Sequence, residues 1–87
     1  MFKIEFAVQG NPDRGQDDWT ESHSIVAPTM KELREEVLKF QGDNDIGGGN
    51  WGEATLYEDD TLVGYVSYNL RVWEKPYWEG RGDEVKI

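Results

Sequence analysis

Cysteine is absent from this chain. That excludes a disulfide framework and a thiolate metal site, and it fits a reducing compartment. Long apolar runs are absent too: no stretch approaches the roughly 20 residues that a membrane span needs. The opening "MFKIEFAVQG" has no basic segment leading into an apolar run, so a signal peptide is not expected. Positive charge is scarce, with 9 Lys and Arg against 18 Asp and Glu, a formal net charge of −9. A chain of that sign repels phosphate backbones and anionic lipid, so neither nucleic acid nor a membrane surface is an expected partner. Histidine occurs once, at His23.

What the chain has in quantity is carboxylate and aromatic side chains. Eleven aromatics, four of them Trp, separate it from disordered acidic tails. Its 87 residues suffice for one domain, 1–87, with one modest core. The acidity suits either plain solubility or a meeting with a basic protein surface.

Periodicity gives the elements. Phe2, Ile4, Phe6 and Val8 alternate with Lys3, Glu5 and Gln9, the mark of a half-buried strand. "GNPDRGQDD" reads as a loop, and "WTESHSIVA" as a second strand with a wet middle. Thr29 and Glu32 form a T-x-x-E capping box after Pro28. Met30, Leu33, Val37 and Phe40 then make one apolar stripe, which predicts a helix over about 30–41 with Gly42 as its stop. "WGEATLYE" is a strand, "EDDT" a turn and "LVGYVSY" the returning strand. "SYNLR" reads as a second turn, with left-handed backbone expected at Asn69, and "RVWEK" as a further strand; the alternative is one long strand from Leu62 to Glu74. Residues 75–87 read as a flexible tail or a short edge strand.

This order predicts an α+β fold: a single helix packed on a mainly antiparallel sheet of four to six strands, ββαββ(β). A β-grasp arrangement with the first strand central is compatible with it, and so is a plain meander.

The segment "GDNDIGGGNWGE" at 42–53 is the nearest approach to a chemical motif. Counted from Asp43 as a calcium loop, it puts Gly47 at position five and Ala54 at twelve, where oxygen ligands are required. As a phosphate loop it has the wrong neighbours, a helix before and a strand after, and two aspartates repel the ligand. No metal or cofactor is therefore expected. Ser22 and Ser24 cannot join His23 in a triad, because adjacent strand residues point to opposite faces. The carboxylates sit mostly in turns or on the polar helix side, where solvated charge is the simpler account than acid–base work. "RGD" at Arg81–Asp83 reads as a chance tripeptide. No enzyme is expected.

The candidate surface is a partner-binding one. The carboxylate clusters are Asp17 and Asp18 in the loop, Glu32, Glu35 and Glu36 on the helix, Asp43 and Asp45 after it, and Glu58, Asp59 and Asp60 in the turn. Core duty does not easily account for Trp51, Tyr65, Trp73, Tyr77 and Trp78 together. In the strand from Leu62, strict alternation puts Val63, Tyr65 and Ser67 opposite Leu62, Gly64 and Val66. Tyr65 and Trp73 on a face away from the helix, rimmed by acids, would make aromatic anchors for a protein partner; the alternative is that Trp51 and Trp73 cap the open end of a thin core.

The run "GGGNWGEATLYEDDTLVGYVSYNLRVWEKPYW", after a single capped helix and a strand beginning at Met1, resembles small acidic bacteriophage proteins that inhibit host factors. These are of the anti-CRISPR and anti-defence type. The resemblance implies a cytoplasmic, non-enzymatic inhibitor that occupies the basic nucleic-acid channel of a host protein, its carboxylates standing in for phosphates. It carries over no residue roles. The alternative is a ubiquitin-like or structural interaction module that binds through its sheet face or an edge strand.

Overall fold

The structure is a computed structural model and describes residues 1–10, 15 and 19–87. Asp17 and Asp18 lie outside the described residues. Strands β1 (Phe2–Gln9) and β2 (Thr20–Ala27) are followed by helix α1 (Met30–Asp43), then by β3 (Trp51–Glu58), β4 (Thr61–Val66), β5 (Val72–Trp73) and β6 (Glu84–Val85). The strands form one six-stranded sheet in the order β2-β1-β3-β4-β5-β6. All five pairings are antiparallel. β1 is the second strand from one edge, between β2 and β3, and the β2–α1–β3 connection passes over it. The remaining strands form a meander. The expected α+β architecture is the one observed, and residues 84–85 supply the edge strand. Among the described residues no helix is long and apolar enough to cross a membrane.

The core lies between α1 and one face of the sheet. Ile4, Phe6 and Val8 of β1, Ala54 and Leu56 of β3, and Leu33 and Val37 of α1 are buried in it. Thr29 caps the helix as its sequence predicts, its Oγ1 accepting the Glu32 N–H at 3.2 Å. The far end differs. Gly42 is a helical residue, and the left-handed position falls at Asp45, with φ 52°. Ile46 N–H donates to the Gln41 carbonyl at 2.8 Å and Asp45 N–H to the Gly42 carbonyl at 3.3 Å. That is the paired bonding of a Schellman cap, and Ile46 seals it by burying its side chain. An aspartate tolerates this backbone because its side chain is short and polar.

Three local irregularities set which side chains reach the uncovered face. The β1–β3 register shifts between Phe6 and Val8, so β3 carries one residue more than β1 there. The bulge reverses parity and turns Trp51 onto the core side with Ala54. A Cβ on Gly52 would stand 2.9 Å from the Ala7 carbonyl oxygen, so only glycine fits at the bulge. On β4 the register shifts between Leu56 and Tyr57. Val63 is the extra residue and packs against the core, while Leu62 opposes Tyr57 on the uncovered face. Strict alternation along this strand is thus broken at Val63. Finally, the β4–β5 turn is closed by Ser67 N–H donating to the Arg71 carbonyl at 3.0 Å. Its left-handed residue is Leu70, φ 63°, not Asn69. Leu70 keeps that backbone because its side chain is buried in the core, while the Asn69 side chain accepts a bond from the Ser67 hydroxyl.

Candidate protein-binding groove

Tyr65 and Trp73 are direct partners across β4 and β5, and both point away from α1. The close approach of the two strands depends on Gly64, where a Cβ would stand 2.6 Å from the Trp73 carbonyl oxygen. Beyond β5 the chain turns at Pro76 into a short 3₁₀ segment, Tyr77–Glu79, and returns to β6. Lys75 N–H donates to the Arg81 carbonyl at 2.9 Å and Glu74 N–H to the Asp83 carbonyl at 3.1 Å, so the returning strand is fastened to β5. This excursion lifts Tyr77 and Trp78 beside the sheet end. Together with Trp51, Tyr65, Tyr68 and Trp73 they wall a groove of about 240 Å³.

The walls differ in rigidity. Trp51 stacks on Phe6 with ring centroids 5.0 Å apart and donates its indole N–H to the Val66 carbonyl at 3.1 Å. Tyr68 donates its hydroxyl to the Ile46 carbonyl at 2.9 Å. Trp73 donates its indole N–H to Ser67 Oγ at 3.2 Å and carries the Arg81 guanidinium 5.5 Å from its ring centroid. These rings are anchored. Tyr77 and Trp78 pack edge to face on each other, 5.3 Å apart, and are 69% and 56% exposed. Large aromatics left open beside anchored ones are what a protein contact patch supplies, since they add area with little rotamer freedom to lose.

The candidate residues divide sharply. Tyr65 and Trp73 come together in the groove. Glu58, Asp59 and Asp60 share the β3–β4 turn, where Asp59 and Asp60 have φ 48° and 69°, the two left-handed positions of a type I′ turn. Asp59 Oδ1 also accepts from the Met1 amine at 3.0 Å. Glu32, Glu35 and Glu36 are exposed on α1, on the layer opposite the groove, and Asp43 and Asp45 are exposed at the helix end. These candidate carboxylates are therefore scattered over the surface and are not among the groove's lining residues. Its charged lining residues are Glu53, Lys75 and Arg81.

Lys75 and Arg81 escaped sequence reasoning. Arg81 reads there only as part of a tripeptide, and its place over Trp73 comes from a return of the chain that no local pattern encodes. Tyr68 reads only as a turn residue. The β4–β5 turn beside the rings was the usable signal, because it places Tyr68 and Trp73 at one end of the sheet.

The remaining candidates resolve into structure. The 42–53 loop is pinned by Asn50, which is 1% exposed. Asn50 Oδ1 accepts the Gly47 N–H at 3.0 Å and its Nδ2 donates to the Gln9 carbonyl at 2.8 Å. Among the described residues no group of three His, Cys, Asp or Glu could hold a metal ion. His23 lies against Phe6 and Phe40, with centroids 5.6 and 4.8 Å away, and its Nε2 is 3.2 Å from Glu21 Oε2. Lys3 hydrogen-bonds Glu5 at 3.1 Å, and that bond together with the Glu5 charge holds its ammonium pKa above the ordinary value.

A scan of protein-family models, a search of curated proteins and a search of solved structures each returned no match to this chain.

Proposed function

We propose that this protein is a non-enzymatic binding module that docks a partner protein in the aromatic groove. The observation that carries the reading is the pair Tyr77 and Trp78, held open beside three anchored aromatic rings, Trp51, Tyr68 and Trp73. Anchors of this kind dominate the energetics of protein contacts. The net charge of −9 adds long-range preference: it speeds encounter with a basic surface and slows it with an acidic one. The setting we propose is the one the sequence resemblance implies, an inhibitor made by a bacteriophage and acting in the host cytoplasm. There it would cover a basic, nucleic-acid-binding surface of a host protein. The position of His23 in an aromatic stack and the scatter of the carboxylates support a binding role over a catalytic one.

The test compares immobilised wild-type chain with Tyr77→Ala/Trp78→Ala and Asp59→Lys/Asp60→Lys variants against host lysate, at low and high salt. The reading expects one retained protein, lost from the aromatic variant. Retention weakened by salt and by charge reversal supports the electrostatic component. If the aromatic variant holds the same protein as strongly as wild type, the groove is not the contact surface.

A further inference from the structure

We propose that the outer edge of β2 accepts an extended strand from a partner protein, one that alternates basic and apolar residues. Among the described residues nothing pairs with that edge, since β2 is terminal in the sheet. Natural sheets blunt such edges with proline, lysine, bulges or brevity. β2 has none of these. It runs eight residues, "TESHSIVA", in unbroken register with β1. Its one charged residue, Glu21, is engaged by His23. The opposite edge is treated differently: β6 has two residues and lies among Asp83, Glu84 and Lys86.

The chemistry of the incoming strand follows from what flanks the edge. Residues of β2 that oppose Val8, Phe6 and Ile4 face the helix side: Glu21, His23 and Ile25. Phe40 touches His23, so the side of α1 that overlooks β2 is the one carrying Phe40. Residues three and four apart share a helix side. Glu36 and Asp43 therefore flank Phe40, and Glu32 continues the stripe; Lys39 borders it as a single cation beside three carboxylates, and all four are exposed. A strand added outside β2 would run its helix-side residues past Glu21, Glu32, Glu36 and Asp43. The net negative charge along that path, three helix carboxylates against Lys39, favours Lys or Arg there. On the other face its neighbours are Ser22, Ser24 and Val26, the last 52% exposed, which suit small apolar side chains. The period-2 geometry of a strand makes both demands compatible in one segment. A second copy of this chain fits poorly, because its own acidic stripe would meet this one. The edge is separate from the aromatic groove, so either surface can fail as a contact without the other.

The probe is a synthetic peptide alternating lysine and valine, with a glutamate–valine peptide as control. Binding is read by fluorescence anisotropy, and its place by amide hydrogen exchange. The lysine peptide should bind and slow exchange within Thr20–Ala27. The Glu36→Lys/Asp43→Lys variant should weaken it by at least about tenfold and favour the glutamate peptide. Trp78→Ala should leave binding unchanged. The proposal is overturned if protection appears outside β2, if charge reversal leaves both affinities as they were, or if Trp78→Ala abolishes binding. It is likewise overturned if β2 becomes protected with rising protein concentration and no peptide, which would make a second copy the occupant.

Discussion

Asn50 reaches across the sequence to Gln9: its Nδ2 donates to the Gln9 carbonyl at 2.8 Å from a site 1% exposed. Asn50→Ala removes this bond and the one its Oδ1 accepts from Gly47, and takes from the Gln9 carbonyl the donor it has in Asn50. The expected cost is about 2–3 kcal/mol, a fall in Tm of about 8–24 °C, measured by thermal unfolding. A change within about 1 °C would mean that the loop is not held by this residue.

Two tryptophans should separate cleanly. Trp51→Ala removes a ring stacked on core Phe6 and should lower stability by about 3–5 kcal/mol. Trp78→Ala alters an exposed ring and should stay within about 0.5 kcal/mol, while weakening the partner contact. Urea unfolding of the two variants measures the contrast. Equal losses would show that Trp78 is structural.

Gly64→Ala places a methyl group 2.6 Å from the Trp73 carbonyl oxygen and 2.9 Å from Val72 Cγ1. β5 must move off β4, at a cost of about 1–3 kcal/mol. Because Trp73 moves with β5, its emission should shift to longer wavelength in the still-folded variant. An unshifted spectrum would show that the strands yield elsewhere.

The β3–β4 turn is suboptimal in composition. Both central residues are left-handed, and the second, Asp60, sits where glycine is favoured. Asp60→Gly should raise stability by about 1 kcal/mol, since it removes a left-handed non-glycine residue. Differential scanning calorimetry reads the gain as about 4–8 °C in Tm. Asp60→Val should move the transition the other way.

The legible parts of this fold are the local ones. Alternation around Ile4 and Phe6, the Thr29–Glu32 cap and the acid turn at 58–61 each declare themselves within a few residues. So does the turn before Val72. The misread features have nonlocal causes. Gly42 has the residue type of a helix stop, yet the cap forms where Ile46 can be buried. Asn69 has the residue type of a left-handed turn position, yet Leu70 takes it because the core captures its side chain. Val63 breaks alternation because two strands of unequal count are paired. The groove was legible only as a surplus of rings. Its membership depends on the 76–83 excursion, which places Arg81 on Trp73 through a return of the chain to β5.

The unequal edges of the sheet bear on stoichiometry. A sheet that can be extended on one side only is a chain terminator for its own kind of assembly. After a single strand is added at β2, the opposite margin at Glu84–Val85 offers too few backbone groups to pass the pairing on. Strand addition of the kind proposed at β2 would therefore stop at a one-to-one complex instead of propagating into a fibre, even though β2 itself is long and carries little charge.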